Sequence, residues 1–304
     1  MKTTNILIAG GSGFLGRSLE IYFQGTGCQV RLLTRNPKSE NEIYWDAQNL
    51  GDWTSEVEWA DVLINMTGKS VDCRYTEKNK REIISSRVDS TRILALAVQK
   101  AEQPPTAWLN AASATVYVHS ETQEMTEDDG IIGDDFSMNV CKKWEAEFFQ
   151  HDLMHTRRVA LRTSIVMGKD GGAYPKLRQL AKLFLGGKQG SGNQFISWIH
   201  AFDFCKAVHF IIDHPEIVGA VNVVGPTPMR NKEFMAVLRK SLNRSFGLGQ
   251  SKWLLELGAR MIGTESELLL KSRNVIPERL LEKGFKFEFE TVKECLDSLA
   301  KKRD

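Results

Sequence analysis

The chain has 304 residues, of which 40 are Lys or Arg and 38 are Asp or Glu, so its formal net charge is +2. This near-balance gives no broad field that would attract nucleic acid or an anionic membrane surface. No apolar stretch is long enough to cross a bilayer or typical of a signal peptide, so we expect a cytoplasmic protein. The five cysteines and six histidines are scattered without metal-ligand spacing, and we expect no metal site.

The first predicted element is a short apolar strand over residues 6–9, followed directly by glycines at positions 10, 13 and 16. An amphipathic stretch comes next, so the order predicts a strand, a tight turn and a helix. Gly10 can take the turn, and Gly13 lets a pyrophosphate approach the backbone at the helix N-terminus. Gly16 allows close packing of the helix on the strand. The pattern predicts a dinucleotide-binding domain.

The second predicted strand begins at residue 30 and ends beside the expected position of the adenosine ribose. An acidic residue there would accept hydrogen bonds from the ribose hydroxyls and repel a 2′-phosphate. This chain instead has Thr34 and Arg35, and a guanidinium offers a planar fork to a phosphate. We therefore expect NADP(H) rather than NAD(H).

Another buried strand, over residues 60–65, ends in Met66, Thr67 and Gly68. Ligands bind at the carboxyl ends of strands in open parallel sheets, so these three residues are expected near the phosphates and ribose of the cofactor. A long helix is predicted over residues 77–101 from its apolar periodicity.

The rest of the chain continues to alternate between strand and helix, which predicts a right-handed parallel sheet. The predicted elements are a strand over 107–112, a helix over about 137–151, a strand over 158–166, a helix over 175–185, and helices over 233–242, 252–262 and 291–301. We divide the chain into a nucleotide-binding domain over residues 1–225 and a smaller, mainly helical substrate lobe over residues 226–304. Residues 167–196 are expected to contribute to that lobe.

Several motifs resemble the extended short-chain dehydrogenase/reductases, which include NAD(P)-dependent epimerases and dehydratases. They are Gly10-x-x-Gly13-x-x-Gly16, Ser86-Arg87-Val88-Asp89-Ser90-Thr91 and Ser113-Ala114-Thr115-Val116-Tyr117. More narrowly, four stretches are similar to an atypical "epimerase family" branch that has a C-terminal domain of unknown function and includes a mammalian member of family 39U. These are Trp144-Glu145, residues 190–200, Asn231-Lys232-Glu233-Phe234 and Val275-Ile276-Pro277-Glu278-Arg279.

The resemblance covers nearly the whole chain and implies a Rossmann-type, doubly wound parallel sheet that binds NADP(H). It adds Glu82, Arg87 and Val166 to the positions that meet the cofactor. Glu82 is equally well explained as a solvated helix residue, whereas Arg87 could donate to a phosphate or ribose. The full set of expected cofactor contacts is Gly10, Gly13, Phe14, Leu15, Gly16, Thr34, Arg35, Met66, Thr67, Gly68, Glu82, Arg87 and Val166.

The catalytic residues of this family are incompletely matched. Its hydride chemistry uses a serine to bind the substrate oxygen, a tyrosine to move the proton, and a lysine four residues later. Ser113 takes the serine position, but Ser137 stands where the tyrosine belongs and Cys141 where the lysine belongs. Three replacements are open: Tyr117 as provisional proton donor, Cys141 as a thiol, or an acid from the loop over 121–135. The alternatives are that Tyr117 packs with its hydroxyl bonded and that Cys141 is a core residue.

Two other features have competing interpretations. His200 invites a catalytic role, but we favour a structural one in which Asp203 caps a helix beginning at Phe204 and His200 lies bonded beneath it. Residues 190–192 could cradle an anionic substrate group through backbone N–H donors, or they could be a flexible crossover.

Two functions from different classes follow. The first is an NADP(H)-dependent oxidoreductase or epimerase that acts on a carbonyl or secondary alcohol, including nucleotide-sugar-like compounds. The second is a catalytically inactive NADP(H)-binding redox sensor or scaffold, which the missing tyrosine and lysine favour. The partner expected is a small-molecule substrate, with the protein acting as a monomer or homodimer.

Overall fold

Strands and helices alternate along most of the chain, in a computed structural model that describes residues 4–263, 265 and 267–301. The strands are β1 (Asn5–Ala9), β2 (Gln29–Thr34), β3 (Glu42–Tyr44), β4 (Val62–Asn65), β5 (Ala107–Ser113), β6 (Arg157–Thr163), β7 (Ile165–Met167), β8 (Phe195–Ile196), β9 (Trp198–His200), β10 (Gly219–Val223) and β11 (Met229–Arg230). The helices are α1 (Phe14–Gly25), α2 (Ser55–Trp59), α3 (Glu77–Lys100), α4 (Phe136–Phe149), α5 (Tyr174–Lys182), α6 (Ala201–Asp213), α7 (Asn231–Ser241), α8 (Lys252–Ile262), α9 (Glu267–Leu270), α10 (Glu278–Glu282) and α11 (Val292–Ala300).

The central sheet has seven strands in the order β10-β6-β5-β4-β1-β2-β3, and every neighbouring pair is parallel. Its strands are apolar on both faces because helices cover both sides, as parallel sheets require. The prediction of a Rossmann-type, doubly wound sheet is confirmed. The strand order reverses between β1 and β4, so the crevice for a ligand opens at the carboxyl ends of these two strands.

The long helix α3 begins and ends close to the predicted positions for clear local reasons. The Thr76 hydroxyl caps its N-terminus by accepting a hydrogen bond of 3.2 Å from the Asn79 N–H. The helix ends at Lys100, shortly before Pro104 and Pro105. It packs beside α4, where Trp144 Nε1 donates to the Thr91 hydroxyl at 3.1 Å.

One predicted strand is divided in the structure, and one predicted helix cap is displaced. The strand predicted over residues 158–166 is interrupted at Ser164, and β7 leaves the central sheet to pair with β9. The predicted helix cap is also wrong, because α6 begins at Ala201 and its N-cap is His200, whose Nδ1 accepts a 3.0 Å hydrogen bond from Phe202 N–H. Asp203 lies inside the first turn, where its buried carboxylate accepts hydrogen bonds from two backbone N–H groups, those of residues 288 and 289, at 2.8 and 3.0 Å.

Part of the segment predicted as a lobe returns to the sheet. Leu280, Phe285 and Phe287 are buried in the same apolar cluster as β1, β6 and β10. The helices α7 and α11 form a separate cluster with α5, in which Met235, Leu238 and other side chains of these helices are buried. Among the described residues, no helix combines the length and apolarity needed to cross a membrane.

Candidate cofactor and substrate site

The turn between β1 and α1 requires glycine at two positions. Gly10 has a φ of +73°, and a β-carbon there would lie 2.9 Å from the backbone of Thr67. A β-carbon at Gly16 would lie 2.6 Å from the Gly11 Cα, so the close packing predicted for Gly16 is against the turn rather than the strand. Gly13 faces open space, with only the Gly10 carbonyl oxygen nearby at 3.7 Å.

The N-terminus of α1 is open to an anion. Gly13 is the N-cap residue and provides no side-chain hydrogen bond to the first turn. The first N–H groups of a helix have no partner within the helix, so they need a side chain, water or a ligand. The backbone N–H groups of Phe14 and Leu15 lie in this turn, at the carboxyl end of β1. This arrangement suits a phosphate group.

The loop after β4 contributes a buried hydroxyl without a partner. Thr67 Oγ1 makes no hydrogen bond within the described ranges, although a β-carbon at Gly10 would lie only 2.9 Å from it. The Thr67 backbone N–H is held by Asn65 Oδ1 at 3.0 Å. Buried polar atoms are nearly always bonded, so an orphan hydroxyl at the switch point of the sheet fits a ligand oxygen there.

Two buried asparagines support this loop, and sequence reasoning missed both. Asn65, the last residue of β4, stands beside Asn110 in the middle of β5, and Asn65 Nδ2 donates to Asn110 Oδ1 at 2.7 Å. The available signal was a polar residue inside each of two otherwise apolar runs. Because Asn65 also positions the Thr67 N–H, this pair fixes the loop that follows β4.

Arg35 lies just beyond the end of β2 with its charge uncompensated. Its side chain is exposed and makes no hydrogen bond or ion pair with any residue that the structure describes. By contrast, the guanidinium of Arg17 is bound by Glu20 and Glu42. Thr34 is buried, and its hydroxyl accepts a weak hydrogen bond of 3.4 Å from Asn36 N–H.

Phe14 and Val166, both expected at the cofactor, lie on either side of one glycine-rich turn. The Phe14 ring packs against Gly168 and Gly171, where a β-carbon would collide with it. Val166 is buried, and its carbonyl oxygen accepts a 3.0 Å hydrogen bond from the N–H of residue 173. The Leu15 and Met66 side chains pack against the same apolar cluster as Phe14, so these four side chains are part of the core.

Glu82 and Arg87 of α3 both turn toward the loop after β4. Glu82 forms an ion pair with the ammonium group of Lys69. Arg87 Nη1 donates to the carbonyl oxygens of Lys69 and Ile83 at 3.0 and 2.9 Å, and its Cζ lies 3.2 Å from where a β-carbon of Gly68 would be. Burial lowers the pKa of Arg87. No acidic partner compensates its charge in the described part of the chain.

Cys141 lies beside the segment that follows Ser113, since it is buried in the same apolar cluster as Ala114 and Val116. Ser113 Oγ accepts a hydrogen bond of 3.2 Å from Thr115 N–H. Burial raises the pKa of Cys141 to about 12, against the opposing effect of Arg87. The thiol is therefore neutral and behaves as a core group, which is the alternative to a reactive thiol.

Ser137, one helical turn before Cys141, is bonded to the lobe. Its hydroxyl donates to the carboxylate of Glu267, and the Tyr75 hydroxyl lies 3.5 Å from Ser137 Oγ. Burial raises the pKa of Tyr75 to about 12. Neither Glu267 nor Tyr75 was expected here, because no local pattern connects them to α4.

Tyr117 is fully buried and its hydroxyl is already engaged. The hydroxyl donates to Asn222 Oδ1 at 2.9 Å and accepts from Arg162 Nη1 at 2.8 Å, while Arg162 also pairs with Glu145. Burial raises the pKa of Tyr117. From the loop over 121–135, Glu127 reaches the same region and accepts a 2.8 Å hydrogen bond from the backbone N–H of Asn222. Tyr117 is therefore a packed residue with a bonded hydroxyl, which is the alternative to its role as proton donor.

Residues 190–192 cannot cradle an anion. The N–H groups of Gly190 and Gly192 donate to carbonyl oxygens of Gln250 and Gln189 at 2.8 and 3.1 Å. The Asn193 N–H is held by the hydroxyl of residue 191 at 3.2 Å. Because these donors are used within the chain, the interpretation as an anion cradle is wrong, and the segment is a fixed crossover.

Comparisons with known proteins agree with this geometry. Residues 6–225 match the NAD dependent epimerase/dehydratase family, and residues 251–299 match a domain of unknown function, DUF1731. Human epimerase family protein SDR39U1 is 32% identical over 289 residues, which cover 93% of this chain and 95% of that protein. Epimerase family protein YfhF of Bacillus subtilis is 29% identical over 300 residues, or 97% of each chain.

Solved structures give the same answer. The crystal structure of human SDR39U1 (isoform 2) with NADPH is similar with a TM-score of 0.88 and 30% identity, covering 98% of this chain and 99% of that one. A UDP-N-acetylglucosamine 4-epimerase from Bacillus cereus, 14% identical, shares the fold with a TM-score of 0.77, covering 98% of this chain and 96% of that one. With its parallel sheet, its glycine turn and a family match over residues 6–225, this chain belongs to the NAD dependent epimerase/dehydratase family.

Proposed function

We propose that this protein is an NADP(H)-dependent oxidoreductase or epimerase acting on a carbonyl compound or secondary alcohol. The observation that carries the proposal is the set of unsatisfied groups around one turn. These are the uncapped first turn of α1, the orphan Thr67 hydroxyl and the unpaired Arg35 guanidinium. The NADPH in the crystal structure of the human relative SDR39U1 supports the same choice of cofactor.

Each part of the cofactor has a matching group on this chain. The N–H groups of Phe14 and Leu15 suit the pyrophosphate, and the Arg35 fork suits a 2′-phosphate. Thr67 and Arg87 suit ribose or phosphate oxygens beside the loop after β4. When bound, the nicotinamide supplies or accepts the hydride of the reaction.

Ser113 is proposed to hold the substrate oxygen. Its Oγ accepts from the Thr115 N–H, and its own O–H donates to no acceptor in the described part of the chain. The hydroxyl proton is therefore free to donate to a ligand. That hydroxyl can polarise a carbonyl oxygen, or bind the alcohol oxygen in the reverse direction. We do not assign proton transfer to Tyr117, since its hydroxyl is held by Arg162 and Asn222.

A second candidate function is cofactor binding without chemistry, as in a redox sensor or scaffold. It is favoured by Ser137 and Cys141 at the positions of the family's tyrosine and lysine. Tyr117 offers no replacement, because its hydroxyl is engaged. In either case we propose that residues 226–304, together with 167–196, form the substrate-facing side of the site.

The first experiment is calorimetric titration of NADPH and NADH into the wild type and Arg35→Ala. We expect NADPH to bind more tightly than NADH, and the preference to fall by about tenfold or more in the variant, because a charge-assisted hydrogen bond contributes ~1.5–3 kcal/mol. Arg260→Ala, at an exposed position on α8, is the matched control and should keep the preference. Failure of both nucleotides to bind would overturn the proposal.

A turnover screen then separates the two candidates. NADPH oxidation is followed with a panel of carbonyl compounds, using wild type and Ser113→Ala. Turnover that Ser113→Ala loses while still binding NADPH supports the enzyme. Tight NADPH binding with no turnover on any compound supports the sensor.

A further inference from the structure

Residues 272–275 form a strap beside the carboxyl end of β5, where Val275 is buried in one apolar cluster with Ala114 and Val116. The Arg273 N–H donates to the carbonyl oxygen of Phe195 at 2.9 Å, and its own carbonyl oxygen accepts from the Ser197 hydroxyl at 2.7 Å. The Ser272 N–H donates to His119 Nδ1 at 2.9 Å. The backbone that carries the Arg273 side chain is thus fixed before any ligand arrives.

The Arg273 guanidinium itself is almost without partners. It is partly buried, and within the described ranges it makes one hydrogen bond, to the neighbouring Ser272 carbonyl oxygen at 3.1 Å, and no ion pair. Asp135 and Glu267 lie nearby, but both carboxylates are ion-paired with Lys271. Burial lowers the pKa of Arg273. A shielded cation without a bonded anion costs free energy unless something else supplies the charge.

This guanidinium lies at the proposed reaction site rather than at the far end of the cleft. Val275, two residues after Arg273, is buried in the same apolar cluster as Cys141 and Ala114, and Ala114 directly follows Ser113. Arg273 and Arg87 both act electrostatically on the Cys141 thiol. Arg87 likewise has no acidic partner in the described part of the chain: its Nη1 donates to two carbonyl oxygens, and its Cζ lies 5.0 Å from the centre of the Trp144 ring. Two cations without bonded acids therefore lie in the region of the serine that is proposed to hold the substrate oxygen.

We propose that Arg273 binds an oxyanion of the substrate, a carboxylate or a phosphate, close to the carbon whose oxygen is held by Ser113. The substrate class is then a small carbonyl acid or hydroxy acid, or a short phosphate ester. The planar fork of arginine matches both groups through two parallel N–H donors. The inference rests on the proposed function, since it places the anion relative to the reacting carbon.

The test is thermal unfolding of the NADPH-saturated protein in rising concentrations of inorganic phosphate or of malonate, at constant ionic strength. A ligand that binds only the folded state raises the midpoint in proportion to its occupancy. We expect a saturable rise with at least one anion in the wild type. Arg273→Gln should weaken the apparent affinity by about tenfold or more, and Arg273→Lys by less, because the charge remains without the fork. Arg260→Gln is the matched control and should respond like the wild type.

The anion that binds more tightly identifies the charged group of the substrate. Malonate represents a carboxylate, and inorganic phosphate represents a phosphate ester. No saturable rise with either anion would overturn the inference, as would an unchanged response in Arg273→Gln. If Arg273→Gln does not fold, Arg273→Lys decides by the same criterion.

Calorimetry with NADPH keeps this result separate from the proposed function. Normal NADPH binding without an anion response rejects the inference alone. If NADPH does not bind, the anion titration is run on the free protein carrying Arg35→Ala, so that phosphate bound at Arg35 is not counted. An anion response that Arg273→Gln abolishes would then support the anion site at Arg273 even though the cofactor proposal had failed.

Discussion

The Tyr117 hydroxyl joins two strands of the sheet by accepting from Arg162 on β6 and donating to Asn222 on β10. Tyr117→Phe would leave both partners buried with one hydrogen bond fewer. We expect its free energy of unfolding to fall by about 1–3 kcal/mol, with NADPH affinity unchanged. Urea unfolding and calorimetry measure the two quantities. Tyr44→Phe, at an exposed position, is the control, and loss of NADPH binding in Tyr117→Phe would instead restore a role for this hydroxyl at the site.

The glycine turn predicts a contrast between two variants that share a backbone conformation. Gly10→Ala and Gly27→Ala both place a side chain at positive φ, which costs about 1–3 kcal/mol. A β-carbon at Gly10 also collides with Thr67, whereas one at Gly27 meets nothing within 4 Å. We expect NADPH affinity to fall at least about tenfold in Gly10→Ala only. Equal affinities in the two variants, by calorimetry, would show that the Gly10 contact does not shape the site.

His200 predicts a measurable dependence of stability on pH. Burial lowers its pKa to about 4, below the unfolded value of 6.5, so the unfolded chain takes up the proton first as the pH falls. The stability that neutral His200 provides is complete above about pH 6.5 and is lost as the pH falls toward 4, by about 2–3 kcal/mol. His200→Asn keeps a capping side chain without this titration. The free energy of unfolding of His200→Asn should change less than that of the wild type between pH 6.5 and 4. Parallel pH profiles of the two proteins would show that His200 is not the titrating group.

The thiols predict a simple count of reactive groups. Cys28 and Cys73 are partly accessible, whereas Cys141, Cys205 and Cys295 are buried, and burial raises the pKa of Cys141 and Cys205 to about 12. In the native protein we expect two thiols to react rapidly with Ellman's reagent and the other three only after unfolding. Cys141→Ala should not change the native count. A third fast thiol that disappears in Cys141→Ala would show that this group is accessible.

Local signals account for the parts of the fold that the sequence predicts well. The turn at Gly10 follows from glycine spacing, and α3 follows from apolar periodicity with a capping Thr76 at its start. Ser113 ends β5, and Cys141 of α4 is buried in one cluster with Ala114, the residue that follows Ser113.

Distant contacts account for what the sequence does not show. Asp203 is a good capping residue by type, yet β9 leads directly into α6 and gives the cap to His200. The Asp203 carboxylate accepts hydrogen bonds from the backbone N–H groups of Glu288 and Phe289, more than eighty positions away. No periodicity in the sequence encodes that pairing. The strap of residues 272–275 likewise reaches Cys141 only in the fold, where Val275 is buried in the same cluster as that thiol.

The return of residues 278–289 to the sheet has a consequence for biosynthesis. Until this segment has left the ribosome, the nascent chain has no Leu280, Phe285 or Phe287 to complete the apolar cluster beside β10, and the Asp203 carboxylate lacks its two N–H donors. The region that matches the epimerase family, residues 6–225, therefore leaves one face of its apolar cluster uncovered when the rest of the chain is absent. We expect a truncated gene product ending near residue 275 to aggregate or be degraded more readily than the full chain.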